Sequence, residues 1–140
     1  FYAREAGGVN FVALDDVFGT VTEQQVERFR QEVAKGLPIV MCLHVPLFTD
    51  AIYRANHHFL SKTDLRFTNG AIPSVTGDYL KQQTDPVTAD FISYLKQLPQ
   101  LKAILCGHLH FTTQDRFSPT AMEYVVGGNF LFHGQEVLFV

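Results

Sequence analysis

The 140-residue sequence is short of cysteine, of basic charge and of long apolar runs, and each shortage removes a class of protein. Two cysteines are too few for a disulfide scaffold, and their spacing is not that of a zinc finger. Cys42 and Cys106 each lie at the end of a short apolar run, where a free thiol behaves as a small hydrophobe, so both are expected in the core. Eleven Lys and Arg against fourteen Asp and Glu give a formal charge of −3, which argues against a nucleic-acid-binding surface. No apolar stretch reaches the about 18 residues of a membrane helix, so no membrane span is expected. What remains is a globular composition, with 46% hydrophobic and 18% charged residues. An initiating methionine is also missing. Phe1 opens directly on a strand-like run, which suggests a processed chain or a piece of a longer one and leaves the compartment open.

The patterning that is present alternates between strand and helix. Gly7-Gly8 separates two β-prone runs, 1–5 and 9–14, as a hairpin turn. From Thr22 the apolar period changes to that of a helix, with Val26, Phe29, Val33 and Ala34 on one stripe. Thr22 with Gln25 forms a capping box, Thr20 with Glu23 offers a second, and Gly36 and Pro38 stop a helix spanning 22–35. The run 38–43 reads as a strand covered on both faces, ending at His44-Val45-Pro46. Asp85 and Pro86 start a second helix, with Val87, Phe91, Leu95 and Leu98 as its buried stripe and Pro99 closing it. Residues 102–106 form another buried strand, ending at Gly107-His108-Leu109-His110. Strands are expected again at 122–126, 129–132 and 136–140, with a tight turn at His133-Gly134. Between the two helix–strand units lies an aperiodic stretch, 47–84, too long for a plain loop unless it is functional or partly helical.

Histidines therefore stand at the carboxyl ends of two strands, the place where α/β sheets concentrate their chemistry. His44, His108 and His110 are candidate metal ligands, since neutral imidazole suits first-row transition metals. In an extended segment His108 and His110 share a side; in a turn they can reach two neighbouring metal positions. Gly107 is expected to let the backbone bend and to keep a side chain out of the site, and Pro46 to fix the exit of the strand. The local spacing supports a partial metal site, because no acidic partner is adjacent. Asp15 and Asp16 read most simply as turn formers.

In order, Gly-Gly-Val-Asn-Phe-Val-Ala-Leu-Asp, Pro-Ile-Val-Met-Cys-Leu-His-Val-Pro-Leu and Ala-Ile-Leu-Cys-Gly-His-Leu-His resemble the carboxyl-terminal half of a calcineurin-like metallophosphoesterase, the family that includes purple acid phosphatases. The likeness covers nearly the whole chain except the middle insertion, and its most specific parts are His-x-Pro at 44–46 and Gly-His-x-His at 107–110. It implies an α/β architecture: half of a two-sheet α/β/β/α sandwich, a mixed sheet flanked by helices. It implies a dinuclear centre of divalent or trivalent transition metals (Fe, Mn, Zn or Ni), with His44 and His108 on one ion and His110 on the other. In that family the metal pair binds phosphate oxygens and activates a bridging water for in-line attack on phosphorus.

The family's Asp-x-His, Gly-Asp-x-x-Asp and Gly-Asn-His motifs are absent; Asn56-His57 and Gly128-Asn129 echo the last in the wrong order. The missing motifs carry the bridging carboxylate and most ligands of the first metal, and would precede Phe1. The chain is thus expected to bind metal weakly and to hydrolyse nothing efficiently by itself. The insertion would overhang the substrate, making His57, His58, Arg54 and Tyr79 candidate substrate contacts, with a solvated surface pair the plainer reading of the two histidines. A half-sandwich leaves an apolar sheet face that calls for a partner, either the missing amino-terminal half or a second copy. The expected small-molecule partner is a phosphate ester. The alternative is a non-enzymatic binding or assembly module that keeps the scaffold. A metal-dependent amidohydrolase fits His-x-His alone and needs a far longer barrel.

Overall fold

The chain's first 14 residues fold back on themselves because Gly7 and Gly8 take φ of 58° and 78°, the left-handed pair that a two-residue hairpin turn requires. They join β1 (Tyr2–Ala6) to β2 (Val9–Ala13). The computed structural model describes residues 1–62, 71–128, 132 and 134–138. After β2 come α1 (Glu23–Val33), β3 (Ile39–Cys42), α2 (Asp50–Lys62), α3 (Ala71–Thr84), α4 (Pro86–Lys96), β4 (Leu101–Cys106), β5 (Thr113–Arg116) and β6 (Met122–Val125).

The capping residues act as their chemistry dictates. Thr22 and Gln25 close a reciprocal capping box on α1, and Gly36 leaves that helix at φ 76°. Asp85 receives the Thr88 N–H at 2.9 Å, with Pro86 in the first turn of α4. The insertion is largely helical: α2 and α3 fill most of it. β5 (Thr-Gln-Asp-Arg) carries no apolar residue and forms a polar edge strand that the sequence did not signal. The strand expected at 129–132 and the turn at His133 fall mostly outside the described residues, as does the Asn69-Gly70 pair. Residues 134–138 are not in a strand.

The strands form one mixed sheet in the order β1-β2-β3-β4-β6-β5, with β2, β3, β4 and β6 parallel and both edges antiparallel. All four helices contribute to a single core on one face: Phe29 of α1, Ile52 of α2, Tyr79 of α3 and Leu95 of α4 pack over Val12, Met41, Ile104 and Val125. Phe29 and Phe91 meet edge to face, their centroids 5.3 Å apart. The ladder registers place Phe11, Ala13, Val40, Cys42, Ala103, Leu105, Met122 and Tyr124 on the opposite face, where Val40 and Ala103 are buried and the others half-buried. The fold is α/β, with a mixed sheet covered by helices on one side. No helix among the described residues is long and apolar enough to cross a membrane.

The two thiols, expected together in the core, therefore part company. Cys106 is buried under the helices, whereas Cys42 is half-buried on the other face, because adjacent registry pairs Cys42 with Leu105 rather than with Cys106.

Asp85→Ala removes the acceptor for the Thr88 N–H in the first turn of α4 and is expected to cost about 1 kcal/mol of stability, read from the urea midpoint at unchanged slope.

Candidate functional site

β3 and β4 are parallel neighbours, so their carboxyl ends lie side by side, and the Gly107 N–H donates to the His44 carbonyl at 3.2 Å to tie them together. Beyond that tie His108 Nδ1 stands 2.9 Å from His44 Nε2, with the rings edge to face at 4.7 Å between centroids. The contact arises because the chain turns sharply after β4. The Leu109 N–H reaches the Gly107 carbonyl at 2.7 Å, and His108 and His110 both adopt left-handed backbone, at φ 66° and 60°. Non-glycine residues seldom occupy that region, and two in three positions mark a turn held by its surroundings. Leu109 supplies the hold, its side chain buried between the two histidines in sequence.

Gly107 does not have the role expected of it. Its φ is not left-handed, and a Cβ there would meet nothing within 4 Å. The bend is made by the histidines themselves.

His44 is positioned by the segment it begins. Val45, Pro46, Leu47 and Thr49 are buried although 44–49 belongs to no strand or helix, so its N–H groups need partners from elsewhere. Asp16 accepts the His44 N–H at 2.8 Å and the Val45 N–H at 3.2 Å. Glu123 Oε1 accepts the Leu47 N–H at 2.7 Å. Gln82 accepts the Phe48 N–H at 2.8 Å and donates to the Pro46 carbonyl at 3.0 Å. Asp16 is thus no mere turn former; Asp15 is one, receiving the Val17 N–H at 3.4 Å. Burial pushes the Asp16 carboxyl upward, opposed by its hydrogen bonds from His44 and Val45 and by the imidazole charge. Burial likewise raises Glu123, to about 8, against the hydrogen bond from Leu47. The Tyr79 hydroxyl and the Cys106 thiol are also raised, by burial first and then by Glu123.

The remaining candidates are scattered. His57 is exposed on α2, its ring edge-on to Tyr53 at 4.6 Å, and His58 is exposed beside it. Arg54 is exposed and lines a surface hollow of about 380 Å³ with Lys96, Asp115 and Arg116, away from the histidine pair. Tyr79, read as a substrate contact, is fully buried with its ring edge-on to Phe48 at 5.8 Å; it is a core residue, because α3 turns that side toward the sheet. Among the described residues, no three His, Cys, Asp or Glu side chains gather as a cage for an ion, so His110 does not join the His44–His108 pair.

The sequence reading missed Glu123 and Gln82. Neither carries a local signal: Glu123 shares a side of β6 with Ala121 and Val125, but only the packed sheet shows that this side is buried.

Two outcomes follow from these environments. The Glu123 carboxyl moves from an ordinary 4.5 to about 8 on folding, so its contribution is complete below 4.5, declines as pH rises and is exhausted above 8. The stability of the native chain relative to Glu123→Gln should fall by roughly 1 kcal/mol per pH unit across that window in urea unfolding; a constant difference contradicts it. Gly107→Ala should leave the melting temperature unchanged or slightly raised, since only unfolded-state entropy is altered.

Comparison of the chain with protein-family models and with curated proteins gives no match.

Proposed function

We propose that the chain is the carboxyl-terminal, metal-binding part of a calcineurin-like metallophosphoesterase, incomplete as a catalyst without carboxylate ligands from another segment. The observation that carries this reading is the convergence of His44 and His108 from the ends of two adjacent parallel strands, 2.9 Å apart. Two nitrogens bound at about 2.1 Å to one transition-metal ion lie about 3.0 to 3.4 Å from each other, so a small separation of the rings would let the pair share an ion in place of the proton between them. His110, two residues on and also in left-handed backbone, would serve a neighbouring position. A dinuclear centre supplies Lewis acidity toward phosphoryl oxygens when bound. The chain's own contribution is to hold two imidazoles at the carboxyl ends of two central strands, with Asp16 spent on backbone N–H groups rather than on metal.

Phe11, Cys42, Leu105 and Tyr124, which remain half-buried on the helix-free face around the buried Val40 and Ala103, support the second part of the proposal. It suits packing against a further sheet, supplied by the remainder of a sandwich or by a second copy. The same face also favours a second reading, a non-enzymatic assembly module.

Metal titration with turnover of a generic phosphate monoester separates them. The proposal expects weak Zn²⁺ or Mn²⁺ binding, lost in both His44→Ala and His108→Ala, and no metal-dependent turnover until a segment bearing Asp-x-His and Gly-Asn-His is supplied. Metal binding indifferent to both substitutions contradicts the phosphoesterase reading. Two stoichiometric ions with turnover by the chain alone contradict its incompleteness.

A further inference from the structure

Glu123 is fully buried on β6, on the helix-covered face and paired in register with Ile104 of β4. A carboxyl group there is costly to bury, and an apolar side chain of similar size would pack in its place. Its surroundings show what the carboxyl supplies. Oε1 receives the Leu47 N–H at 2.7 Å and lies 3.7 Å from Cys106 Sγ, whose thiol is shared with the Tyr124 carbonyl at 3.3 Å. Leu47 is the third residue after His44, and Cys106 the second before His108. One oxygen atom therefore touches both segments that deliver the paired imidazoles, reaching them from a third strand. Oε2 has no hydrogen-bond partner among the described residues.

We propose that Glu123 is a positioning residue that sets the His44 segment against the His108 turn and so fixes the spacing of the two rings. It touches neither imidazole. Asp16 pins the start of the His44 segment and Gln82 its middle, but each reaches that segment alone; Glu123 spans the pair. Removing its acceptor leaves the Leu47 N–H unsatisfied in the interior, and the segment must move to find water or another oxygen. The movement carries His44 away from His108. The demand is for an acceptor at the Oε1 position, not for charge, so an amide serves as well as a carboxyl.

The proposal concerns the geometry of the pair and stands apart from the phosphoesterase reading, on which only its metal arm rests. The test uses the full chain carrying Glu123→Gln, Glu123→Leu or Glu123→Asp. Long-range proton–nitrogen spectra record the His44 Nε2 and His108 Nδ1 resonances. Glu123→Gln is expected to keep the native signature of the hydrogen-bonded pair. Glu123→Leu, which lacks the acceptor, and Glu123→Asp, which withdraws it by a methylene, are expected to lose it while far-UV circular dichroism still reports a folded chain. Should the leucine variant fail to fold, the aspartate variant decides. A folded leucine or aspartate variant with native imidazole resonances overturns the proposal, as does a glutamine variant that loses them. In a separate titration with Zn²⁺ alone, the affinity should drop about tenfold or more in the aspartate variant and be retained in the glutamine variant. Absence of Zn²⁺ binding in the native chain counts against the metal reading and leaves the imidazole spectra to judge Glu123.

Discussion

The structure depends on how an irregular segment, 44–49, is buried without leaving its backbone N–H groups unpaired. A strand solves that problem with a ladder and a helix with its own carbonyls; this segment has neither. Its donors are met by side chains from three distant places: Asp16 beyond β2, Gln82 on α3 and Glu123 on β6. Without them the chain leaving β3 would have to run outward to water, and His44 would leave with it. Buried acceptors therefore hold the segment that brings His44 to His108, and the 2.9 Å contact between the rings adds to them. Two of those acceptors are carboxyl groups raised by burial, which makes the site's geometry sensitive to substitutions at positions that never touch a ligand.

The same sheet presents two unlike faces. One is closed by four helices around Phe29, Ile52, Phe91 and Leu95. The other carries apolar residues that remain half-buried, from Phe11 on β2 to Tyr124 on β6. β3 and β4 follow β2 in order across the sheet, reached in turn through α1 and through α2–α4, and this explains the asymmetry: successive parallel crossovers of one hand moving in one direction place their helices on one side. The closed face fixes the strand ends that bear the histidines; under the proposed function, further protein would pack on the other.

Much of this was legible in the residues. The Gly7-Gly8 turn, the Thr22–Gln25 box, the Asp85-Pro86 start and the two apolar strands follow from local rules, and those strands deliver their histidines at neighbouring ends as expected. Helix α2 was hidden because Asn56, His57 and His58 interrupt an apolar spacing of Ile52, Ala55 and Phe59, and α3 because it contains Pro73 and Gly77. Tyr79 looked available because nothing local distinguishes a core tyrosine from a surface one. Asp16, Gln82 and Glu123 were out of reach for a different reason: their partners lie 28, 34 and 76 residues away, and only the tertiary fold brings them to one segment.

Native-state hydrogen exchange at the amides of His44, Val45, Leu47 and Phe48 tests the central claim most directly. Held by buried side-chain acceptors, they should exchange about as slowly as the ladder amides of Val40 and Met41, through global unfolding. Exchange as fast as that of the exposed Val17 and Phe18 amides would contradict the account, because the segment would then be open to water and the histidine pair without its support.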